Sequence, residues 1–388
     1  MPHDNQLERK SPLSPAAGAD PEAPAGPEPG IALCLSGGGY RAMLFHAGAI
    51  WRLSELGFLP KLNRVSSVSG GSIIAALLGL RWSRLGFDAG GVARNLVAEV
   101  IDPIRALASR TIDEGAILGG LLMPGSISER IADAYRKHLF GNATLQDLPP
   151  DPPRFVINAT NVQTGALFRF SRPFIADFRL GMIRNPTLDL ALAVTASSAF
   201  PPVLSPVHLE FDAAAWVQSG GEDLHRAPYL TDVVLSDGGV YDNLGLETAW
   251  KRYDTILVSN GGGKMAPQEE PKGDWARHSI RINEIIDNQV RSLRARQVIG
   301  SFEAGERHGT YWGIRTDIAD YQLATAMACP LARTTELAET KTRLQRLDAN
   351  RQERLINWGY AVCDAGMRRH VVTTAPAPAG FPYPATGV

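Results

Sequence analysis

"RVSSVSGGSIIAALLGL" (residues 64–80) changes character in its middle, and that change decides how the chain is read. Arg64 to Val68 is a short β-branched run that reads as a buried strand, whereas Ile73 to Leu80 is apolar and helix-like. Between them Ser69 stands before Gly70 and Gly71, at a strand-to-helix corner. Corners of the G-x-S-x-G type hold a serine out as a nucleophile. Here Ser67 replaces the first glycine, and Ser66, Ser67 and Ser72 are competing hydroxyls. A helix cap is the other ordinary use of such a serine.

The same arrangement occurs one unit earlier. "IALCLS" (31–36) reads as a buried strand and runs into Gly37, Gly38 and Gly39. Beyond them Ala42, Leu44, Ala47, Ile50, Trp51 and Leu53 share a helical face, with Gly57 as a stop signal. Two consecutive strand–glycine–helix units predict a parallel α/β sheet with its chemistry at the carboxyl ends of the strands.

"GGGYRA" (37–42) fits two chemistries. As G-x-G-x-x-A it could hold a dinucleotide pyrophosphate, but that fingerprint needs an acidic residue ending the second strand. "NRVSSVS" ends in serine instead. The other reading is an oxyanion hole, in which the amides of Gly37, Gly38 and Gly39, with that of Gly70, meet one developing negative charge. A tight turn that serves packing alone is the third reading.

A serine needs a base. Downstream histidines are His208, His225, His278, His308 and His370, and none follows an apolar strand at a glycine corner; His46 reads as a satisfied imidazole within the first helix. Asp237 in "VVLSDGGVYDNLG" does end an apolar strand before two glycines, as Ser69 does. A plain Asp-Gly turn is its alternative, and a Ser-Asp-His triad stays open on residues alone.

The remainder is consistent with one large domain. Residues 91–148 read as mainly helical, and 154–171 as two strands around Thr164–Gly165. Residues 189–207 read as a helix broken at Pro201–Pro202, and 254–263 as a buried strand ending in glycines. Residues 276–370 read as helical. The Pro/Ala/Gly-rich segment 1–29 predicts a disordered leader and 373–388 a low-complexity tail. The domain plan is therefore a catalytic unit over 30–260 and a mainly helical extension over 261–372 packed on it. "GAILGGLLMPGS" (115–126) reads either as a lid that visits a membrane surface or as a buried turn.

Composition narrows the class. A formal charge of −1 argues against nucleic acid as a partner. Cys34, Cys329 and Cys363 are too dispersed for a disulfide framework or a metal site, which predicts a reducing, cytoplasmic setting. The sequence carries no secretory signal and no run of 18 apolar residues. No metal and no cofactor are expected.

Taken together, "GGGYR" (37–41), Ser69 in "SVSGGS" and the late "DGG" at Asp237 resemble the patatin-like phospholipase family, as do "ATNVQTG" and "ASSAFPP". The likeness covers roughly residues 30–260, and the Ser67 substitution is its main departure. It implies a three-layer α/β/α fold with a mostly parallel sheet and a helical C-terminal extension. It also implies a Ser69–Asp237 dyad without histidine, an oxyanion hole at the glycines, and Arg41 as a substrate-positioning residue. The implied reaction is hydrolysis of a phospholipid or other acyl-ester lipid.

Overall fold

The structure is a computed structural model that describes residues 27–112, 126–150, 152–202, 204–218 and 222–388. Most of the expected leader and nearly all of the 115–126 loop lie outside the described residues.

Eleven strands form one mixed sheet: β1 (Glu28–Leu35), β2 (Arg64–Val68), β3 (Arg154–Asn161), β4 (Ala166–Phe170), β5 (Phe174–Asp177), β6 (Gly181–Arg184), β7 (Val207–Glu210), β8 (Trp216–Val217), β9 (Asp232–Asp237), β10 (Tyr253–Asn260) and β11 (His308–Gly313). The central run β11-β10-β1-β2-β3 is parallel throughout, and an antiparallel wing β4-β5-β6-β8 continues from β3. β2 is buried throughout and β1 over its last four residues, the pattern expected of strands covered on both faces.

Helices cover the sheet: α1 (Gly39–Glu55), α2 (Gly70–Leu80), α3 (Asp102–Ala108), α4 (Ser126–Tyr135), α5 (Leu190–Ser197), α6 (Gly239–Asp242), α7 (Glu247–Trp250), α8 (Trp275–Glu303), α9 (Leu331–Ala338) and α10 (Ala349–His370). α1 and α2 follow the two glycine corners, as their sequence patterns predict. The reading of a mostly parallel α/β sheet is therefore correct for the centre of the sheet.

Three details differ from the sequence reading. The segment 276–370 is not wholly helical, because β11 lies within it and pairs with β10 from Thr255↔His308 to Asn260↔Gly313. Two glycines and the short length hide this strand, and its Trp312 Nε1–H donates to Ser259 Oγ (2.9 Å) across the pair. After Asp237, where "VVLSDGGVYDNLGLETAWKR" reads as a strand, a glycine corner and a helix, come two four-residue helices, α6 and α7. The low-complexity tail is docked: Asn357 Nδ2 donates to the carbonyls of Tyr383 (2.8 Å) and Gly387 (2.7 Å), and Arg52 Nη2 to that of Pro376 (3.1 Å).

α10 is the main partner of α1. A Cβ on Gly48 would lie 1.9 Å from the Ile356 carbonyl oxygen, and one on Gly359 would lie 1.8 Å from that of Phe45. Only glycine permits the two backbones this approach. Beside the crossing, buried Asp364 accepts from Arg52 Nε (2.9 Å) and from Arg368 Nη2 (2.8 Å). The extension thus completes the wall behind the first glycine loop.

Candidate active site

β3 assembles the site. β2 runs along one edge of β3 in parallel and ends with Val68 opposite Asn158. β9 runs along the same edge in the opposite direction and ends with Asp237 opposite Ala159. The carboxyl ends of β2 and β9 therefore meet head to head at consecutive residues of β3. Ser69 and Asp237, so distant in sequence, become neighbours by this register alone.

Ser69 has φ 53° and ψ −121°, one of three non-glycine residues at positive φ among the described residues. This is the strained corner conformation that a nucleophile elbow requires. Ser69 is 7% exposed, while Ser66, Ser67 and Ser72 are fully buried. Those three are also occupied: Ser66 Oγ accepts from Asn158 Nδ2 (3.0 Å) and Thr248 Oγ1 (2.9 Å), and Ser72 Oγ donates to Ser67 Oγ (3.0 Å). Ser67 Oγ in turn donates to the Val156 carbonyl (3.3 Å), so a hydroxyl is accommodated where the elbow pattern has glycine.

Asp237 is buried, and removal from water pushes its carboxyl up to about 7. The Gly239 N–H, which donates to Oδ1 (2.7 Å), and the Ser69 hydroxyl pull it down, while the negative charge of Asp287 pushes it up. Oδ2 has no hydrogen-bond partner among the described residues. Ser69 thus lies within electrostatic reach of the carboxyl without a closed hydrogen bond, an arrangement ordinary for catalytic pairs without substrate.

Ser197, at the end of α5, ties the two corners together. Its Oγ accepts from the Ser69 N–H (3.0 Å) and donates to the Asn158 carbonyl (2.6 Å), and its own carbonyl accepts from the Gly238 N–H (3.1 Å). The sequence reading gave this residue no role. Its only mark there is its place in "ASSAFPP" (196–202).

The glycine loop touches the serine corner: a Cβ on Gly37 would lie 3.1 Å from Ser69 Cβ, and one on Gly70 2.2 Å from the Gly39 carbonyl oxygen. The expected oxyanion set is reduced by one, because the Gly37 N–H is already donated to the Asn243 carbonyl (3.0 Å). The amides of Gly38, Gly39 and Gly70 have no protein acceptor among the described residues. Gly38 has φ 142°, and a Cβ there would meet the Gly261 carbonyl oxygen at 2.8 Å.

Arg41 is not a surface charge. It is buried, with Nε donating to the Gly261 carbonyl (3.1 Å) and Nη1 to that of Thr340 (2.5 Å). Nη2 is buried without a partner. Burial, with Arg315 and Arg291 nearby, holds its pKa down at about 10.

The histidines are elsewhere. His46 is buried between Ser259 Oγ (2.8 Å) and the Ser36 carbonyl (2.9 Å), and burial lowers it to about 4. His208 pairs with Asp232 (3.1 Å), and His225 contacts the Leu180 carbonyl (2.6 Å). His278 lies on the exposed α8, His308 opens β11, and His370 closes α10 beside the Tyr321 ring. Among the described residues no histidine contact involves Ser69 or Asp237. Nor does any cluster of three His, Cys, Asp or Glu suit a metal ion among them.

A family model of patatin-like phospholipases matches residues 33–250. The chain belongs to this family. Its match spans both glycine corners and the Asp237 corner, together with β3, on which the Ser69 and Asp237 corners meet. No curated protein matches the sequence.

Among solved structures the patatin-like chain is similar to human GIVD cytosolic phospholipase A2 in complex with methyl gamma-linolenyl fluorophosphonate. The identity is 15%, the match covers 88% of this chain and 57% of that one, and the TM-score is 0.50. A second match is VipD from Legionella pneumophila, at 16% identity over 86% of this chain and 66% of that one, with a TM-score of 0.33. The chain spans about half the length of the phospholipase chains it matches. The likeness to the human enzyme concerns the fold. No helix among the described residues is long and apolar enough to cross a membrane.

Proposed function

We propose that this protein is a lipid acyl hydrolase that cleaves phospholipids or related acyl esters through Ser69 and Asp237. Family membership supports the class of activity, and the head-to-head meeting of β2 and β9 on β3 is the observation that carries the dyad. Asp237, poised near neutrality, accepts the Ser69 proton as Oγ forms a bond to the acyl carbonyl carbon. The carbonyl oxygen takes up negative charge, which the amides of Gly38, Gly39 and Gly70 receive. Collapse of the tetrahedral intermediate breaks the ester bond, and the departing alkoxide takes the proton from Asp237. A water molecule then attacks the acyl-enzyme, with Asp237 again as base, releasing the fatty acid and restoring the Ser69 hydroxyl.

Arg41 supports the reading from the side. Two of its nitrogens hold backbone near the glycine loop, and the free Nη2 suits a lipid phosphate. The three cysteines are buried and unpaired, which suits a reducing cytoplasmic compartment with peripheral access to membranes.

A fluorophosphonate probe followed by peptide mapping tests the nucleophile, and a phospholipid panel with mass-spectrometric detection of free fatty acid tests the substrate class. Labelling at Ser69, abolished in Ser69→Ala, and fatty-acid release are the expected results. Label on another residue, or no product from any acyl lipid, overturns the proposal.

A further inference from the structure

One fully buried hydroxyl that the proposed reaction does not use touches the nucleophile: that of Ser197, the last residue of α5. Its task follows from where the hydrogen bonds go. β2 pairs with β3 as far as Val68↔Asn158, so the Ser69 N–H leaves the ladder where the chain turns through φ 53°. A buried N–H without an acceptor is costly. Here the acceptor is a side chain, Ser197 Oγ at 3.0 Å.

The rotamer of that side chain is fixed from two elements at once. A hydroxyl has one proton to give, and Ser197 gives its proton to the Asn158 carbonyl of β3 (2.6 Å). The lone pairs are left for the Ser69 N–H and for Ser72 Oγ, which lies 2.9 Å away on α2. Ser72 is itself held by Ser67 Oγ (3.0 Å), whose proton goes to the Val156 carbonyl (3.3 Å). The neighbouring Ser198 is turned elsewhere: its Oγ donates to the Val194 carbonyl (2.8 Å) within α5 and meets the Tyr135 hydroxyl (3.2 Å). Of the two serines in "ASSAFPP", Ser197 is the one that meets the Ser69 corner.

The main chain of the same residue holds the other corner. The last carbonyls of a helix lack donors from within it, and that of Ser197 accepts from the Gly238 N–H (3.1 Å). Two residues on, the Ala199 carbonyl accepts from the Asp237 N–H (3.0 Å). Only the atoms O, C, Cα, Cβ and Oγ of Ser197 separate its contact with the Gly238 amide from its contact with the Ser69 amide. Two torsions of one residue, ψ and χ1, therefore govern how far the Ser69 corner stands from the Asp237 corner.

We propose that Ser197 is a positioning residue for the Ser69–Asp237 pair. Its hydroxyl holds the strained corner of the nucleophile, its carbonyl holds the corner of the base, and together they set the separation across which the proton passes. Being fully buried, it acts through these two corners and not on the substrate. A misplacement of about 1 Å in such a pair costs about 10²-fold in rate. The inference rests on the hydrolase reading, which supplies the proton transfer that Ser197 serves.

The test compares the full-length parent with Ser197→Ala, Ser197→Cys and Ser72→Ala, by kcat and KM on a soluble ester, the pH profile of kcat/KM, and the rate of fluorophosphonate labelling at Ser69. Ser197→Ala leaves the Ser69 N–H without its acceptor, and Ser197→Cys fills the same place with a weak one. Ser72→Ala removes a buried hydroxyl from the same network but leaves both contacts of Ser197 with the corners. Ser197→Ala should lower kcat by about 10- to 100-fold with KM within about twofold, and slow labelling by a similar factor. Ser197→Cys should move in the same direction, and Ser72→Ala should stay within about threefold of the parent. The Ser69 hydroxyl draws the Asp237 carboxyl down, so loosening the pair should shift the acid limb of kcat/KM to higher pH in the Ser197 variants alone. A merely structural role lowers Tm in all three variants and leaves that limb in place. A folded Ser197→Ala with kcat within about twofold of the parent overturns the inference, and Ser197→Cys decides in the same way if the alanine variant does not fold. An equal loss of kcat in Ser72→Ala, a loss carried by KM alone, or an unmoved acid limb overturns it too. A parent that neither takes the probe at Ser69 nor hydrolyses the ester overturns the hydrolase reading and this inference with it, whereas an active parent indifferent to Ser197 overturns this inference alone.

Discussion

The Ser69 corner and the Asp237 corner look alike in sequence, each an apolar strand ending in a polar residue before two glycines, but they are built differently. At Ser69 the chain turns through φ 53° into the 11-residue helix α2, which is buried almost throughout. At Asp237 the following residue, Gly238, has φ −60° and ψ −24°, and the helix that follows has four residues. One corner throws its side chain out by backbone strain. The other delivers its side chain by strand register, because β9 is antiparallel to β3 where β2 is parallel. A nucleophile must be lifted off the chain to reach a carbonyl carbon, whereas a base has only to lie beside the nucleophile.

The largest expected effect removes the difference in chemistry while keeping both corners. Ser69→Ala and Asp237→Asn should each lower kcat on a soluble ester by about 10³- to 10⁶-fold with the fold intact. The asparagine keeps the shape but cannot accept the proton. Alanine at His208, His225, His278, His308 or His370 should stay within about tenfold of wild type, or about 1.4 kcal/mol of barrier. A folded but inactive histidine variant would replace the dyad by a triad.

Next in size is the loop that faces the serine corner alone. Gly38→Ala should cost about 10²-fold or more in kcat, through a displaced oxyanion donor and a Cβ 2.8 Å from the Gly261 carbonyl. Rates on a soluble ester decide it, and an unchanged kcat would remove Gly38 from the oxyanion hole.

The pH response should separate the two corners. The proposed mechanism needs ionised Asp237, so kcat/KM should fall about tenfold per unit below about pH 7. Stability moves the other way. A carboxyl raised in the folded state stabilises at low pH, and that contribution is lost as pH rises from 3.8 through about 7. Asp237→Asn escapes the loss, so its Tm should exceed that of wild type by more at pH 8 than at pH 4. Ser69→Ala should give a Tm difference without that trend.

The smallest effect isolates strain. Ser69→Gly relieves a positive-φ side chain, and should raise unfolding stability in urea by about 1 kcal/mol after the entropy of glycine is counted. A less stable glycine variant would mean that the corner is not strained.

Much of the fold was legible because its marks are local. Short apolar strands, glycines at their ends and helical periodicity mark both β–α units, and the corner of β9 carries the same marks. The meeting of Ser69 with Asp237 depends on the pairing of β3, whose register no local pattern encodes. The loss of the Gly37 amide to Asn243 and the hub at Ser197 have the same origin, since each is one contact between distant segments. β11 was missed because a strand of two glycines and four other residues is made by its neighbour, β10. The tail reads as low complexity because Pro and Ala carry no periodicity, yet Asn357 on α10 holds it by its backbone.

The glycine crossing of α1 and α10 sets where the protein can be cut. The family match ends at residue 250, but the helix that begins at Gly39 rests on a helix that ends at residue 370. A chain shortened to the matched region would open a backbone-wide trench along α1 and strand Arg52 without Asp364. The smallest unit able to fold is therefore larger than the region that the family model matches. A purification handle or a fusion partner placed straight after Val388 would press on the very layer that braces the glycine loop.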